Sequence, residues 1–198
     1  MLVFDIRGFS KRTISSSDTA LKQALLLLDS VLPTVAQVIY DYNGYVEKNT
    51  GDGVMAILGA GADANTRATL GIECALTIKY ALKHFVNDYL VSKGVPKVEF
   101  RIGVDQGPIL LARIGTPTGT AKQERNFLTA VGPTANIATR LQQKAGTDQI
   151  WIGNSVRTNL PERRQNFCKD VTPSDWTWTA GGQRYRVWNY DAEWKDPK

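Results

Sequence analysis

Short apolar stretches and long helical repeats follow one another along this chain, and their order predicts its architecture. Alternating or compact apolar runs predict strands, and apolar spacings of three and four residues predict helices. Strands are predicted at 2–6, 98–104, 109–114, 127–131 and 149–152, with hairpins at 45–58 and 176–188. Helices are predicted at 19–42, 62–92 and 135–144. The order βαββαβ with additions predicts an α+β fold, with a ferredoxin-like core whose helices cover a mostly antiparallel sheet.

Three details of these elements give sharper expectations. Pro33 lies inside the first helix and predicts a kink or a break, because proline lacks a backbone N–H. The strand at 98–104 alternates apolar residues with Glu99, Arg101 and Gly103, which predicts that one of its faces is buried. The buried face of the second helix is expected to consist of Ala68, Ile72, Ala75, Ile78, Leu82 and Phe85.

The length of 198 residues suits a single domain over 1–198, and no repeat, low-complexity tract or linker divides the chain. The polar stretch 116–125 predicts an exposed loop or a protruding arm. Near the C-terminus, Gly181 and Gly182 predict the turn of the last hairpin.

Composition narrows the possible chemistry. The net charge of +5 favours an anionic ligand or partner. A single histidine, His84, excludes a His-rich zinc site, and the two cysteines have neither metal-ligand spacing nor a disulfide pattern. Apolar runs such as 24–28 are too short to cross a bilayer, and the N-terminus lacks a secretory pattern. A cytoplasmic protein is therefore expected.

The segment NTGDGVMAIL places Asp52 between two glycines, just ahead of an apolar strand. Asp-Gly predicts a hairpin turn, and this topology brings the turn beside Asp5 at the end of the first strand. Two neighbouring carboxylates repel and need a partner cation or a shared proton. Paired oxygens on a chain of positive net charge suggest a divalent metal, and Mg²⁺ in such a place usually also contacts substrate phosphate. Backbone N–H groups around Gly8 are available to phosphate oxygens. The alternative is that both aspartates only shape turns.

A third candidate group is the pair Asn136 and Arg140 in the segment GPTANIATRL. Residues four apart share one face of a helix. The arginine fork suits phosphate, and the asparagine amide suits a ribose or a base. A merely solvated polar face remains the alternative.

Four segments together, in this order, resemble the class III nucleotide cyclase catalytic domain over roughly residues 1 to 155. They are VFDIRGFS, GYVEKNTGDGVMAILG, RIGVDQGPIL and VGPTANIATRL. The resemblance implies conversion of a nucleoside triphosphate to a 3′,5′-cyclic nucleotide and pyrophosphate, with two divalent metal ions, Mg²⁺ or Mn²⁺, as cofactors. It also implies a head-to-tail homodimer with its sites at the interface.

The resemblance assigns a role to each matching position. Asp5 and Asp52, with the backbone carbonyl of Ile6, would hold the metal ions, and Gly8, Phe9 and Ser10 are expected beside the phosphates. From the other protomer, Lys48 and Thr129 would contact the base, Asn136 would orient the ribose, and Arg140 would stabilise the transition state. Members of this family usually carry a triphosphate-binding lysine ahead of the last strands. Residues 175–188 contain none, which leaves Arg184 or Arg186 as guesses.

The choice of base stays open at this stage. Lys48 with Thr129 is compatible with adenylate cyclases, whereas a guanylate cyclase is expected to carry Glu at position 48. The compact chain with an aromatic C-terminal end also resembles the pyrimidine cyclases of Pycsar anti-phage systems, which make cUMP or cCMP for a separate effector protein. We expect a pyrimidine cyclase first and an adenylate cyclase second. A nucleotide-binding pseudo-cyclase is a further alternative. An RNA-binding domain is disfavoured, and neither nucleic acid nor a membrane is an expected partner.

Overall fold

The fold was analysed in a computed structural model, which describes residues 1–14, 17–115 and 126–194, with the backbone alone for 126 and 127. The strands are β1 Leu2–Ile6, β2 Tyr45–Asn49, β3 Gly53–Ile57, β4 Phe100–Val104, β5 Leu110–Gly115, β6 Asn126–Val131, β7 Gln149–Gly153, β8 Cys168–Asp170, β9 Thr179–Ala180, β10 Gln183–Arg184 and β11 Val187–Tyr190. The helices are α1 Phe9–Arg12, α2 Asp18–Asp41, α3 Ala64–Ala81, α4 Asn87–Ser92, α5 Pro133–Lys144, α6 Asn154–Thr158 and α7 Glu162–Gln165, with a π-helical turn at Leu82–Val86.

One sheet of seven strands forms the centre of the fold, in the order β2-β3-β1-β4-β7-β11-β8. Every neighbouring pair is antiparallel except β4 and β7, which run parallel. The predicted α+β class with a mostly antiparallel sheet is therefore confirmed. Strand β1 lies between β3 and β4, so it is the strand around which the candidate site is built.

Both faces of the sheet are covered, because side chains of successive strand residues point to opposite sides. On one face, Phe4 and its alternate neighbours pack with the buried residues of α2 and α3 in the largest core cluster. On the other face, Val3 and Met55 cluster with Ala135 and Ala138 of α5. The expectation that β4 is buried on one face only is wrong, since α5 covers its second face.

The contact between α5 and β4 is unusually close at Gly103. A Cβ placed on Gly103 would lie 2.2 Å from the carbonyl oxygen of Ala138 and 2.5 Å from the backbone nitrogen of Gln142. Only a residue without a side chain allows the helix backbone to approach the strand this closely. Gly103 thereby sets the position of α5, the helix that carries Asn136 and Arg140.

Two expectations about the long helices are corrected. Helix α2 runs unbroken through Pro33, so the alternative of a break is wrong. The predicted buried face of α3 is confirmed through Leu82, but Phe85 is 63% exposed and Val86 is buried in its place. The π-helical turn at Leu82–Val86 adds a residue to one turn, which moves the apolar stripe by one position.

Helix α2 also corrects the expectation that no apolar segment is long enough to cross a bilayer. By length and composition alone it qualifies, as one helix among the described residues. Its Leu27, Val31, Val35 and Ile39 are fully buried in the core cluster, as in the core helix of a globular domain.

Strands β5 and β6 form a separate antiparallel ribbon, which we call the arm. The predicted exposed stretch 116–125 falls outside the described residues. The predicted C-terminal hairpin is smaller than expected, since only β9 and β10 pair around the glycines, while β11 joins the main sheet. The aromatic residues of this region mainly serve the core, because Trp176, Tyr185, Trp188 and Tyr190 are all buried.

We predict that Gly103→Ala lowers the free energy of unfolding by about 3 kcal/mol, because the added methyl group overlaps the backbone of α5. Urea denaturation followed by circular dichroism measures this. Gly71→Ala is the matched control, since a Cβ there would meet a single side-chain atom, Val104 Cγ1, at 3.0 Å and no backbone atom. Equal effects of the two substitutions would contradict a special role of Gly103.

Candidate catalytic site

The turn between β2 and β3 explains why Asp52 stands between two glycines. Gly51 has φ of +99°, which favours glycine, and its N–H donates to Asn49 Oδ1 at 3.0 Å. A Cβ on Gly53 would lie 2.6 Å from the carbonyl oxygen of Phe4, so β3 passes close to β1. Asp52 therefore stands between two residues without side chains, and its backbone is held against the end of β1.

The structure places Asp5 beside Asp52, as the sequence predicts. Asp5 is opposite Gly53 in the ladder of β1 and β3, and the N–H of Ile6 donates to the carbonyl oxygen of Asp52 at 3.0 Å. Burial, and after it the negative charge of Asp5, raise the pKa of Asp52 above its usual value. The protein thus holds two carboxylates together although their charges repel.

Arg101 is a member of this cluster that the sequence analysis did not single out. Its Nη2 lies 2.6 Å from Asp5 Oδ2, and its Nη1 donates to the carbonyl oxygen of Gln143 at 3.0 Å. Both partners of the ion pair are largely shielded, with side chains 25% and 22% exposed. The available signal was the pairing of β1 with β4, where Asp5 and Arg101 are directly opposite.

The paired carboxylates fit a hard divalent cation. Among the described residues, no group of three or more His, Cys, Asp or Glu side chains is placed to hold a metal. A site of two carboxylates is nevertheless what Mg²⁺ uses when water and substrate phosphates complete its coordination. Burial and, after it, repulsion from Asp5 raise the pKa of Asp52, and a bound cation would relieve that repulsion. Ile6 has its side chain in the core, so only its backbone is left for such a role.

The predicted phosphate segment follows directly after β1. Gly8 adopts φ of +69° and precedes the short helix α1. Phe9 packs partly into the core, whereas Ser10 is exposed. Arg12 anchors α1 by donating to the carbonyl oxygens of Pro96 and Lys97 at 3.2 and 2.6 Å. The segment therefore follows directly after the strand that carries Asp5, and contact of its backbone with phosphate stays a prediction.

The two predicted base-binding residues also lie together, in a groove separate from the carboxylates. Lys48 and Thr129 line an open cavity of about 490 Å³, together with Glu47, Asn49, Ile114 and Leu128. The Thr129 hydroxyl donates to Glu47 Oε1 at 2.5 Å, and Lys48 Nζ lies 3.4 Å from the same oxygen. Glu47 is thus a second residue that the sequence analysis missed.

Asn136 and Arg140 occupy one exposed face of α5, as their spacing predicts. Within the described part of the chain, neither side chain forms a hydrogen bond or an ion pair, so neither is bonded to Asp5 or Asp52. One chain therefore contains both groups of predicted residues, with no direct bond between the two groups in the part of the chain that the structure describes.

Arg184 and Arg186, the guessed substitutes for the missing lysine, have other partners. Arg184 donates to the carbonyl oxygens of Pro173, Ser174 and Trp176. Arg186 pairs with Asp170 and lies over the ring of Trp188, 4.7 Å from its centroid. In this chain, the arginine beside the paired carboxylates is Arg101.

Comparison with known proteins defines the class to which this fold and site belong. A family model described as the adenylate and guanylate cyclase catalytic domain matches residues 1–175. The chain therefore belongs to this family of nucleotide cyclase domains.

Solved structures agree on the fold. The guanylyl cyclase Cya2 superposes with a TM-score of 0.78 at 22% identity, covering 99% of this chain and 92% of that one. The adenylyl cyclase CyaB from P. aeruginosa gives 0.77 at 20% identity, covering 100% and 95%. Because one of these proteins is named a guanylyl cyclase and the other an adenylyl cyclase, likeness of fold does not select a substrate.

The curated relatives include three cyclases with different names. The adenylate cyclase of Anabaena cylindrica is 25% identical over 165 residues, which cover 81% of this chain and 30% of that protein. Adenylate cyclase 1 of Rhizobium meliloti strain 1021 is 27% identical over 167 residues, 84% and 23% respectively. The cytidylate cyclase of Staphylococcus aureus is 22% identical over 163 residues, 80% and 36%. The chain thus spans between 23% and 36% of the length of these relatives.

The charges at the site predict opposite effects of two similar substitutions on stability. Because the pKa of Asp52 is raised in the folded state, its favourable contribution is present at low pH and is lost as the pH rises through the raised pKa. Without divalent cations, Asp52→Asn should unfold with an equal or higher free energy than the wild type at about pH 8, and with no gain at about pH 4. Asp5→Asn should instead lose about 1–3 kcal/mol at the higher pH, because Arg101 is left without its anion.

Urea denaturation at both pH values measures this difference. Asp88→Asn, an exposed substitution on α4, serves as the control and should change little. Equal destabilisation by Asp5→Asn and Asp52→Asn at the higher pH would contradict the charge arrangement described here.

Proposed function

We propose that this protein converts a nucleoside triphosphate to a 3′,5′-cyclic nucleotide and pyrophosphate. The observation that carries this proposal is the placement of Asp5 and Asp52 side by side at the end of β1, in a chain of the cyclase family. The two neighbouring carboxylates favour binding of a cation, and the backbone turn at Gly8 beside them is exposed. Together they suit a triphosphate with its metal ions.

Asp5, Asp52 and the carbonyl of Ile6 are the groups we expect to hold two divalent ions, Mg²⁺ or Mn²⁺. When bound, such ions make the ribose 3′-hydroxyl a better nucleophile and stabilise charge on the phosphates. The chain itself positions the reactants: backbone groups around Gly8, Phe9 and Ser10 contact the phosphates. The turn with Gly51 and Gly53 fixes Asp52 against β1.

Arg140 and Asn136 complete the site from a second copy of the chain. We base this on their exposed place on α5, where no hydrogen bond or ion pair among the described residues links them to Asp5 or Asp52 of their own chain. Arg140 would stabilise negative charge on the reacting phosphate, and Asn136 would orient the ribose. Exposed apolar residues of the arm, Leu110, Ile114 and Val131, offer surface for a head-to-tail homodimer. Two complete sites would then form at the interface.

Arg101 is the residue we assign to the triphosphate in place of the missing lysine. In the ligand-free chain its guanidinium neutralises Asp5 at 2.6 Å. A cation bound to Asp5 would displace that contact and free the arginine fork, which suits phosphate oxygens. Arg101 would thereby exchange a carboxylate for a phosphate when the substrate and its metal bind.

For the base, we propose a pyrimidine, with UTP to cUMP or CTP to cCMP as the reaction. The likeness to a protein named cytidylate cyclase over 80% of this chain supports this choice. Adenylate cyclase activity is the second candidate, supported by two relatives with that name. The aromatic C-terminal end gives less support than its sequence suggested, because its residues are largely core.

The biological role that goes with a pyrimidine product is a second messenger in bacterial anti-phage defence. The cyclic nucleotide would diffuse to a separate effector protein, with no direct contact between the two proteins. Cytoplasmic location, where the nucleotides are present, belongs to the same proposal.

The first test is turnover with each of the four nucleotides. We expect purified protein with Mn²⁺ or Mg²⁺ to form cUMP or cCMP as the main product, identified by mass spectrometry. Cyclic AMP as the main product would establish the second candidate. No cyclic product from folded dimer with any nucleotide, and no binding of any triphosphate, would overturn the cyclase proposal.

Variants of the paired carboxylates test the site itself. Asp52→Asn should lower turnover by on the order of 1,000-fold or more while the fold is retained, because a metal ligand is removed. Asp88→Asn, on exposed α4, should retain the wild-type rate. An Asp52→Asn enzyme of full activity would exclude this residue from the chemistry.

Arg101→Ala separates binding of metal from binding of triphosphate. Binding of Mn²⁺ alone should stay equal or become tighter, since a competing cation beside Asp5 is removed. Binding of a triphosphate with Mn²⁺ should weaken by about tenfold or more, because a charged hydrogen bond is lost. Isothermal titration calorimetry measures both, and unchanged triphosphate affinity would contradict the role given to Arg101.

A further inference from the structure

Glu47 lies in the groove of Lys48 and Thr129 because strand β2 contains a bulge. Val46 is opposite Ala56 and Lys48 is opposite Met55, so two steps along β2 match one step along β3. The extra residue is Glu47. A bulge re-aims a side chain that regular pleating would direct elsewhere.

The Glu47 side chain is 1% exposed, which is rare for a carboxylate without a full set of partners. Its Oε1 accepts from the Thr129 hydroxyl at 2.5 Å and from the Ala130 N–H at 3.2 Å. Its Oε2 has no hydrogen-bond partner among the described residues. Since a buried polar oxygen without a donor costs free energy, Glu47 places an unsatisfied acceptor in the wall of the groove.

Lys48 supplies the complementary group. Its Nζ lies 3.4 Å from Glu47 Oε1, and its side chain is 46% exposed, so it remains accessible in the groove. A buried acceptor beside an accessible cationic donor matches a molecular edge that carries an N–H next to an oxygen or nitrogen acceptor. The hydrogen-bonding edges of nucleobases have this pattern.

We infer that Glu47 is a specificity-determining residue, which accepts a hydrogen bond from an N–H on the edge of the substrate base while Lys48 donates to the neighbouring acceptor. Thr129 is then a positioning residue, because its hydroxyl is used to hold Glu47. The inference rests on the proposed function and deepens it, since it names the group that reads the base.

Glu47 and Lys48 can discriminate among bases through the hydrogen bonds that each of them forms. A carboxylate oxygen accepts and does not donate, so a base that offers no N–H at this place leaves Oε2 unsatisfied. A site built to satisfy a polar group on its substrate rejects an analogue that lacks the group more strongly than an apolar pocket rejects a change of shape. Glu47 therefore affects the ranking of bases and not only the overall affinity.

The test measures equilibrium binding of the four α,β-methylene nucleoside triphosphates in the presence of Mg²⁺, so that it does not depend on turnover. We expect Glu47→Gln to weaken binding of the nucleotide that the wild type prefers by about tenfold. The ratio of its affinity to the affinities of the other three nucleotides should also change. Glu162→Gln, an exposed substitution on α7, is the matched control and should leave all four affinities unchanged.

Methylated bases can be combined with Glu47→Gln in a double-mutant cycle, which compares the effect of each change on affinity alone and together. Methylation of the base removes the N–H and should weaken binding of the preferred nucleotide to the wild type by about tenfold. Suitable analogues are the triphosphates of N3-methyluridine, N4,N4-dimethylcytidine and N6,N6-dimethyladenosine. In Glu47→Gln the same methylation should cause little further loss. Full additivity of the two changes would overturn the inference.

Other results also decide between the possibilities. If Glu47→Gln weakens all four nucleotides by one common factor, Glu47 is only structural and the inference fails. If the wild type cyclises a nucleotide and Glu47→Gln ranks the bases as the wild type does, the cyclase proposal stands. The role proposed for Glu47 is then wrong. If the wild type binds no triphosphate, the proposed function fails and this inference fails with it.

Thr129→Val provides a second test if Glu47→Gln does not fold. It removes the hydroxyl that donates to Oε1 and keeps the shape of the side chain. We expect a smaller penalty for methylation of the base in this variant than in the wild type. An unchanged penalty would overturn the positioning role of Thr129, and no penalty in the wild type itself would overturn the role of Glu47.

Discussion

The pairing of β1 with two neighbours at once is the constraint on which the candidate site depends. Its ladder with β3 brings Asp5 to the Asp52 turn, and its ladder with β4 places Arg101 directly opposite Asp5. Two carboxylates and one guanidinium from distant parts of the chain are thereby fixed by backbone hydrogen bonds. The close passage of Gly53 along Phe4 leaves this arrangement little freedom.

The parts of the molecule that sequence could predict are those specified by local patterns. Apolar periodicity gave the order of the elements, and the glycines around Asp52 indicated a turn. The antiparallel topology then implied that Asp5 would lie nearby, which the register confirms. The spacing of Asn136 and Arg140 likewise placed them on one face of a helix. These inferences need only neighbours in sequence and the general rules of strand pairing.

The rest depends on tertiary geometry that local patterns do not contain. Arg101 joins the site through the register between two strands, and Glu47 enters its groove through one extra residue in β2. Phe85 is exposed because a π-helical turn shifts the stripe of α3. The second buried face of β4 exists because α5 packs on Gly103. Each of these depends on an irregularity or a long-range contact.

The bulge in β2 has a consequence for how substrate choice changes during evolution. Neighbouring residues of a strand differ in orientation, so moving the bulge by one position would exchange which of two adjacent side chains is presented to the groove. A shift of backbone register could then alter chemical selectivity while both amino acids are retained. A sequence alignment of homologues would not reveal such a change, since residues that are identical in the alignment would differ in side-chain orientation.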